Sequence, residues 1–424
     1  MSIFHQLKQQ LSQQIQHLAD TAEWSELTAE IALPDETPNV LAWLKGQTHF
    51  PQYFWQSRDE DNTLVALGAA RRFECLDDAQ AFSERYGYRL VGGLTFEKAC
   101  RFILPRLLFV KNVRKLTAYC YLNGQERQQV SQFLHQIAPM TTLTKTAGSE
   151  PLARQQAATF SDWAANIERA IHTIQTSELN KVVLANATTL TFTKPVCPYD
   201  LLFASQQKNL GCYHFLWSEN GEQTFIGSSP ERLYRRQGRY FYTEALAGTA
   251  AVTADVEQTE CNALWLLNDP KNRYENWLVV DDICSHLTDC AADIQVGEAE
   301  IKRLKNVQHL RRFIQTQLAD KVKDGDCLAR IHPTAAVAGL PRPLATEFIR
   351  RHEQFQRGWY AGTLGYFTPE NAEFCVALRS ALIEKNHITL YAGAGIVEGS
   401  KPDDEWQEIE RKSLAIANLL TVER

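Results

Sequence analysis

At 424 residues and 48.2 kDa the chain is long enough for a large core, and its length alone allows two or three domains or one large α/β unit with an extension. A composition of 44% hydrophobic and 22% charged residues excludes wholesale disorder. The net charge of -6 and pI near 6.0 disfavour nucleic acid or an anionic membrane as the main partner.

The N-terminus, MSIFHQLKQQLSQQIQHL, has Phe4, Leu7, Leu11, Ile15 and Leu18 at helical spacing without an unbroken apolar run, which predicts an amphipathic helix rather than a signal peptide. No stretch approaches the roughly 18 consecutive apolar residues of a membrane span. Residues 1 to about 135 mix helix and strand patterns, including RLVGGLTFE and FILPRLLFVKN, and read as scaffold. APMTTLTKTAGSEPLARQQ, residues 138–156, reads as a surface linker. A new unit follows from 157, its first helix capped by Ser161 with Trp163, Ile167, Ala170, Ile171 and Ile174 on one stripe.

Strands and helices then alternate closely: KVVLANATTLTF, a helix from Tyr199, CYHFLWS, QTFIGSS, and the hairpin LYRRQGRYFYTE turning at Gln237-Gly238. A helix opens at Asp269-Pro270, an N-cap with proline in the first helical position. GWYAGTLGYF, EFCVALRSALIE and HITLYAGAGIV predict three antiparallel strands, the last two joined at Lys385-Asn386, before a final helix over 402–420. The ten cysteines stand singly, with no CxxC, as expected of reduced thiols in a cytoplasmic protein.

LYAGAGIVEGSKPDDEWQEIERK, residues 390–412, begins like a phosphate loop but misses the dinucleotide spacing and the Lys-Ser/Thr of a P-loop. Its glycines, Gly393 and Gly395, let backbone N–H groups approach an anion, and a carboxylate would serve as well as a phosphate. Glu405, Glu408 and Lys412 share one helix face; alternatively, the acids only answer the helix dipole while Lys412 pairs Glu408.

Four further residues invite chemistry, the first three with a plainer alternative. Lys181 opens a strand on the face of Val183 and Ala185, where burial would lower its pKa towards that of a general base; a strand-end lysine reaching solvent is the alternative. Glu231 follows a strand end, where site residues are often mounted, or belongs to an ordinary turn. Glu275 shares a helix face with Leu278, Val279 and Asp282, or pairs Lys271 in solvent. Arg379 lies inside an apolar strand, and a buried arginine needs an anion.

In this order the motifs LNKVVLA, FIGSSPERL, EALAGTA, DPKNRYE, KNVQHL, IHPTAAVAGLPR, GWYAGTLGYF, VALRS, YAGAGIV and EWQEIERK resemble the chorismate-utilising enzyme family from about Leu179 to the C-terminus. The resemblance implies an α/β fold of the α+β type, with large, mainly antiparallel sheets inside flanking helices, residues 1–156 docking on the sheets of a catalytic domain at 157–424. Lys181, where amine-adding members have glutamine, and Ala247, where members forming a covalent intermediate have lysine, point away from amination. With LAGT and the long N-terminal extension, they resemble most the members that make isochorismate for menaquinone.

The resemblance further implies Mg2+ bound by Glu275 and Glu408 with Glu405 nearby, and chorismate held by Arg379, Tyr360, Thr249, Lys412 and the backbone of Gly393 and Gly395. His332 matches an active-site histidine of the family, although a satisfied core histidine before a proline turn is the plainer alternative. Lys181 would activate water for attack at C2, and protonated Glu231 would donate to the departing C4 hydroxyl. The rivals are a salicylate synthase, a siderophore-pathway isochorismate synthase and a silent chorismate-binding subunit; no glutamine amidotransferase partner is implied.

Overall fold

The computed structural model describes residues 2–18, 23–34, 37–59, 62–144 and 150–420, and the strand patterns of both halves join one antiparallel hydrogen-bonded network. In the N-terminal part the expected helix, Ile3–His17, is capped by Ser2 and buries Phe4, Leu7, Leu11 and Ile15. Strand β1 (Gln52–Gln56) and strand β2 (Leu90–Leu94) follow. Gly93 in β2 has no room for a side chain, because a Cβ there would stand 1.7 Å from Thr363 O.

Helix α1 (Phe160–Thr176) starts from Thr159, not Ser161. Thr159 Oγ1 accepts from Asp162 N while the Asp162 carboxylate accepts from Thr159 N, a reciprocal cap that Ser161 has no acid to complete. The expected linker is partly structured: Ala153–Gln156 pairs with Thr188–Thr191, while residues 145–149 lie outside the described residues.

Strand β3 (Lys181–Thr191), β4 (Tyr213–Ser218), β5 (Thr224–Ser229), β6 (Arg232–Gln237) and β7 (Tyr240–Ala251) come next. The β6–β7 turn is Gly238-Arg239, one residue later than expected, with Gly238 at φ 56°. Helix α2 (Pro270–Leu287) starts at the Asp269 cap as the sequence predicts. Strands β8 (Glu300–Arg303) and β9 (Val307–Leu318) precede β10 (Thr363–Phe367), β11 (Asn371–Val376), β12 (Ser380–Glu384) and β13 (His387–Ile396). EFCVALRSALIE is therefore two strands rather than one, broken where Arg379 takes a left-handed φ of 47°. Helix α3 (Pro402–Ala417) closes the fold.

Strand β1 pairs β4, and β2 pairs β10, so the N-terminal strands enter the sheet that carries the C-terminal motifs. The cores mix likewise. Phe4, Trp43 and Phe109 pack in a cluster with Leu190, Ile388 and Ile416, and each such side chain stabilises the joined halves by about 1.5–3 kcal/mol before entropy is counted. A second cluster, holding Trp55, Trp163, Tyr213, Phe241 and Ile409, fills the layer below α1, α2 and α3.

Candidate active site

A partly open cavity lies among β3, β7, β9, β13, α2 and α3. Glu231, Thr249, Glu275, Tyr360 and Arg379 line it, together with Gly393, Gly395, Glu408 and Lys412. Residues from seven separate motifs thus converge on one space.

The glycine wall follows from strand register. Val183 and Ala185 of β3 send their N–H groups away from β13, to Ala338 O and Glu353 Oε1. Their partners Gly395 and Gly393 must point away from β3 as well, because in an antiparallel ladder both members of a non-hydrogen-bonded pair face outward. Strand β12 reaches only to Leu390, and beyond it the outer edge of β13 has no strand neighbour among the described residues. Gly393 O accepts there from Lys412 Nζ at 2.9 Å. The same edge turns two N–H groups toward the cavity.

The three acids on α2 and α3 each stand against an ammonium. Lys181 is fully buried, and its Nζ lies 3.0 Å from Glu275 Oε1, close enough for an ion pair but without hydrogen-bond geometry. Lys181 itself does not reach the cavity wall; Glu275 does. Glu408 pairs Lys412 at 2.6 Å, so the plainer pairing holds for that couple. Lys271 reaches across to Glu405 at 3.0 Å rather than to Glu275, bridging α2 and α3. Burial and the neighbouring Glu408 push Glu405 above the ordinary carboxylate range. Burial would raise Glu408 too, but the Lys412 charge and hydrogen bond hold it low.

This donor set suits a hard cation. It offers only carboxylate oxygens, two of the three acids face the cavity, and Glu405 and Glu408 repel each other in a buried place. Among the described residues no three ligand-type side chains already converge, and Mg2+ commonly takes only one or two carboxylates with water and substrate oxygens.

Glu231 follows β5 and is 4% exposed. Burial, reinforced by the Glu244 charge, pushes its carboxyl up to about 8, against the opposing pull of Lys181, Lys302 and Lys412. At neutral pH such a group carries its proton. The peptide is fixed by Val376 N donating to Glu231 O at 3.1 Å.

Arg379 projects into the cavity from its left-handed turn and donates from Nη2 to His309 Nε2 at 3.1 Å. The other ring nitrogen of His309 must then carry the proton, which faces Thr249 Oγ1 at 3.1 Å and Gly248 O at 3.3 Å. Burial and the Arg379 charge keep this imidazole neutral. Tyr360 stacks on Tyr391 with ring centres 5.2 Å apart.

His332 lies outside the cavity. It is 1% exposed, with Nε2 3.1 Å from Thr95 O and Nδ1 without a hydrogen-bond partner, so it is a core histidine satisfied at one nitrogen alone; its loop lines the site through Ala336 and Val337 instead. The cavity histidine is His309, in KNVQHL, a motif quoted above for its likeness but not weighed for chemistry. The signal was a polar ring between Val307 and Leu310 on a strand buried at its start.

The sequence matches the family described as chorismate binding enzyme over residues 94–421. It is 44% identical over 387 residues to the isochorismate synthase MenF of Haemophilus influenzae, covering 91% of this chain and 90% of that one. With its Escherichia coli counterpart it shares 44% identity over 398 residues, 91% of either chain. The solved structure of E. coli MenF, the menaquinone-specific isochorismate synthase, superposes with a TM-score of 0.91 at 41% identity, covering 97% of this chain and 99% of that one. Anthranilate synthase component I from Streptococcus pneumoniae shares the fold at a TM-score of 0.61 and 20% identity, covering 94% of this chain and 93% of that one. Motif order, sheet register and extended likeness agree: the chain belongs to the chorismate-binding enzyme family.

Proposed function

We propose that the protein is an isochorismate synthase, converting chorismate to isochorismate for menaquinone in the cytoplasm. The observation that carries this reading is the pair of buried groups of opposite kind, Lys181 directly behind Glu275 and the protonated carboxyl of Glu231 in the wall, at one cavity that offers anion-binding groups. The kinship with isochorismate synthases supports the choice of reaction, and ten cysteines without a disulfide suit a reducing compartment.

In this reading the Gly393 and Gly395 N–H groups, Arg379 and Tyr360 hold the enolpyruvyl carboxylate, and His309 keeps the Arg379 fork aimed. Lys181, once its ammonium has released a proton to solvent, takes a proton from water as the water oxygen bonds to C2, the ring double bonds shift, and the C4–O bond breaks as Glu231 gives its proton to the leaving hydroxyl. One water enters and one leaves, so substrate and product are isomers; solvent returns a proton to Glu231 and takes one from Lys181. Glu275 and Glu408, with Glu405 behind them, would hold Mg2+, which supplies positive charge to offset and orient the ring carboxylate. Glu275 must turn from Lys181 for the amine to face the cavity, since only the carboxylate now lines it.

Incubation of the purified protein with chorismate and Mg2+ tests the reading. Isochorismate is the expected product. Fluorescent salicylate would make the protein a salicylate synthase, and chorismate binding without turnover would make it a silent subunit.

A further inference from the structure

Two peptide groups flank Glu231, the Pro230 carbonyl before it and the Arg232 N–H after it, and one buried cluster of charges holds both. Pro230 O accepts from Arg58 Nη1 at 2.9 Å and from Lys302 Nζ at 2.5 Å. Arg232 N donates to Glu244 Oε1 at 3.0 Å. Glu244 also takes the Arg58 fork, Nη1 to Oε1 at 2.5 Å and Nη2 to Oε2 at 2.9 Å. These residues come from the loop after β1, from β7 and from β8, and none is more than 8% exposed.

Buried charges are a poor way to gain stability, because a well-packed apolar set of similar volume usually does as well. What apolar residues could not do is hold a carbonyl and an N–H on either side of a chosen residue. We propose that Arg58, Glu244 and Lys302 are positioning residues for the acid: they clamp the peptides on both sides of Glu231, keep its carboxyl toward the cavity, and set with their charges how readily it gives up its proton. The inference rests on the reading of Glu231 as the acid, and it gives the N-terminal region, through Arg58, a part in the chemistry.

The electrostatics agree with the geometry. Glu244, which burial alone would raise, is held ionised at about 2 by the Arg58 charge and hydrogen bonds. Its negative charge favours the protonated form of Glu231, whereas Lys302 opposes it. Burial draws Lys302 down to about 8, against the pull of Glu244. Lys181 from β3, Lys412 from α3 and Arg379 from the β11–β12 connection also act on Glu231. Glu275 from α2 and His309 from β9 line the same cavity.

The test uses the full chain with chorismate and Mg2+, comparing pH profiles of kcat for wild type, Lys302→Met and Glu244→Gln, alongside Glu231→Gln and Glu231→Gln/Lys302→Met. Removing the lysine charge should move the alkaline limb of kcat upward in pH, and removing the glutamate charge should move it downward, with KM changed less than about 3-fold. Added to Glu231→Gln, Lys302→Met should cost less than about 2-fold further, because its effect runs through a carboxyl already gone. Limbs that stay in place in both folded variants, or an undiminished Lys302→Met effect in the Glu231→Gln background, would overturn the inference while leaving the acid reading intact. Wild-type kcat in Glu231→Gln would overturn the acid reading and the inference with it. If Glu244→Gln fails to fold, the limb of Lys302→Met and the double variant decide alone.

Discussion

Lys181 Nζ lies 3.0 Å from Glu275 Oε1, so the proposed base is paired with a proposed metal ligand, and the carboxylate rather than the amine faces the cavity. The two members of the pair are unequal. Lys181 is fully enclosed, whereas the Glu275 side chain keeps 14% of its exposure. Glu275→Gln should therefore leave a buried, unmatched ammonium and cost about 3–5 kcal/mol, while Lys181→Met should cost less because the carboxylate can turn to water. Urea unfolding of both variants measures the asymmetry. Lys181→Met should also lower kcat by about 100-fold or more with chorismate binding still measurable; unchanged turnover would remove Lys181 from the chemistry.

Glu231 carries a pH signature. Its carboxyl is raised by burial from an ordinary 4.5 to about 8 in the folded protein. The folded state therefore binds this proton more tightly than the unfolded chain, and the associated stability is complete below pH about 4.5 and is lost as pH rises towards 8. The rate follows the same proton. kcat should fall above pH about 8 as the acid ionises, and Glu231→Gln should lower kcat by about 100- to 10,000-fold at pH 7. A variant that keeps wild-type kcat across neutral pH would exclude Glu231 as the acid.

Metal dependence can be read without turnover. If Glu275 and Glu408 bind Mg2+, saturation at about 100 times Kd should stabilise the wild type by about 2.7 kcal/mol, seen as a rise in Tm. Glu275→Gln/Glu408→Gln should lose that response. In the wild type, EDTA should abolish isochorismate formation and added Mg2+ should restore it. Equal thermal responses in both proteins would place the ion elsewhere.

Much of this site was legible because strand ends and helix starts announce themselves locally. Asp269-Pro270 marks the start of α2, and with it the face that carries Glu275. The motif glycines and Glu408 lie where the pattern puts them, on the edge of β13 and nearly two turns into α3. Long-range events were not legible. Arg379 looked like a strand residue because Val376 and Leu378 precede it, yet its left-handed φ breaks the strand and aims it at His309, 70 positions away in sequence. Helical spacing allows Lys271 to pair Glu275 as the plainer alternative, but the register of α2 against α3 offers it Glu405. His332 and His309 could be told apart only by which strand faces the cavity. The Arg58 contact with Pro230 depends on β1 pairing β4, which no local pattern encodes.

Gly395 offers a last test of how tightly the parts are fitted. A Cβ at this position would stand 2.3 Å from Glu275 Oε1 and 3.0 Å from Lys181 Cε. The backbone there is ordinary strand, so Gly395→Ala should cost little in local conformation and act through displacement of the Glu275 carboxylate instead. The variant should fold with a Tm lowered less than that of Glu275→Gln, bind Mg2+ more weakly in the thermal assay, and lose activity by about 10-fold or more, since a shift of 1 Å in a positioning group can cost about 100-fold. Gly393→Ala is the control: its Cβ would meet Tyr360 Oη at 2.8 Å and Leu184 O at 2.9 Å, so it should raise KM for chorismate while leaving the Mg2+ response intact. Were both variants to lose substrate affinity and metal response together, the division of β13 between an anion-binding glycine and a carboxylate-fitting glycine would be wrong.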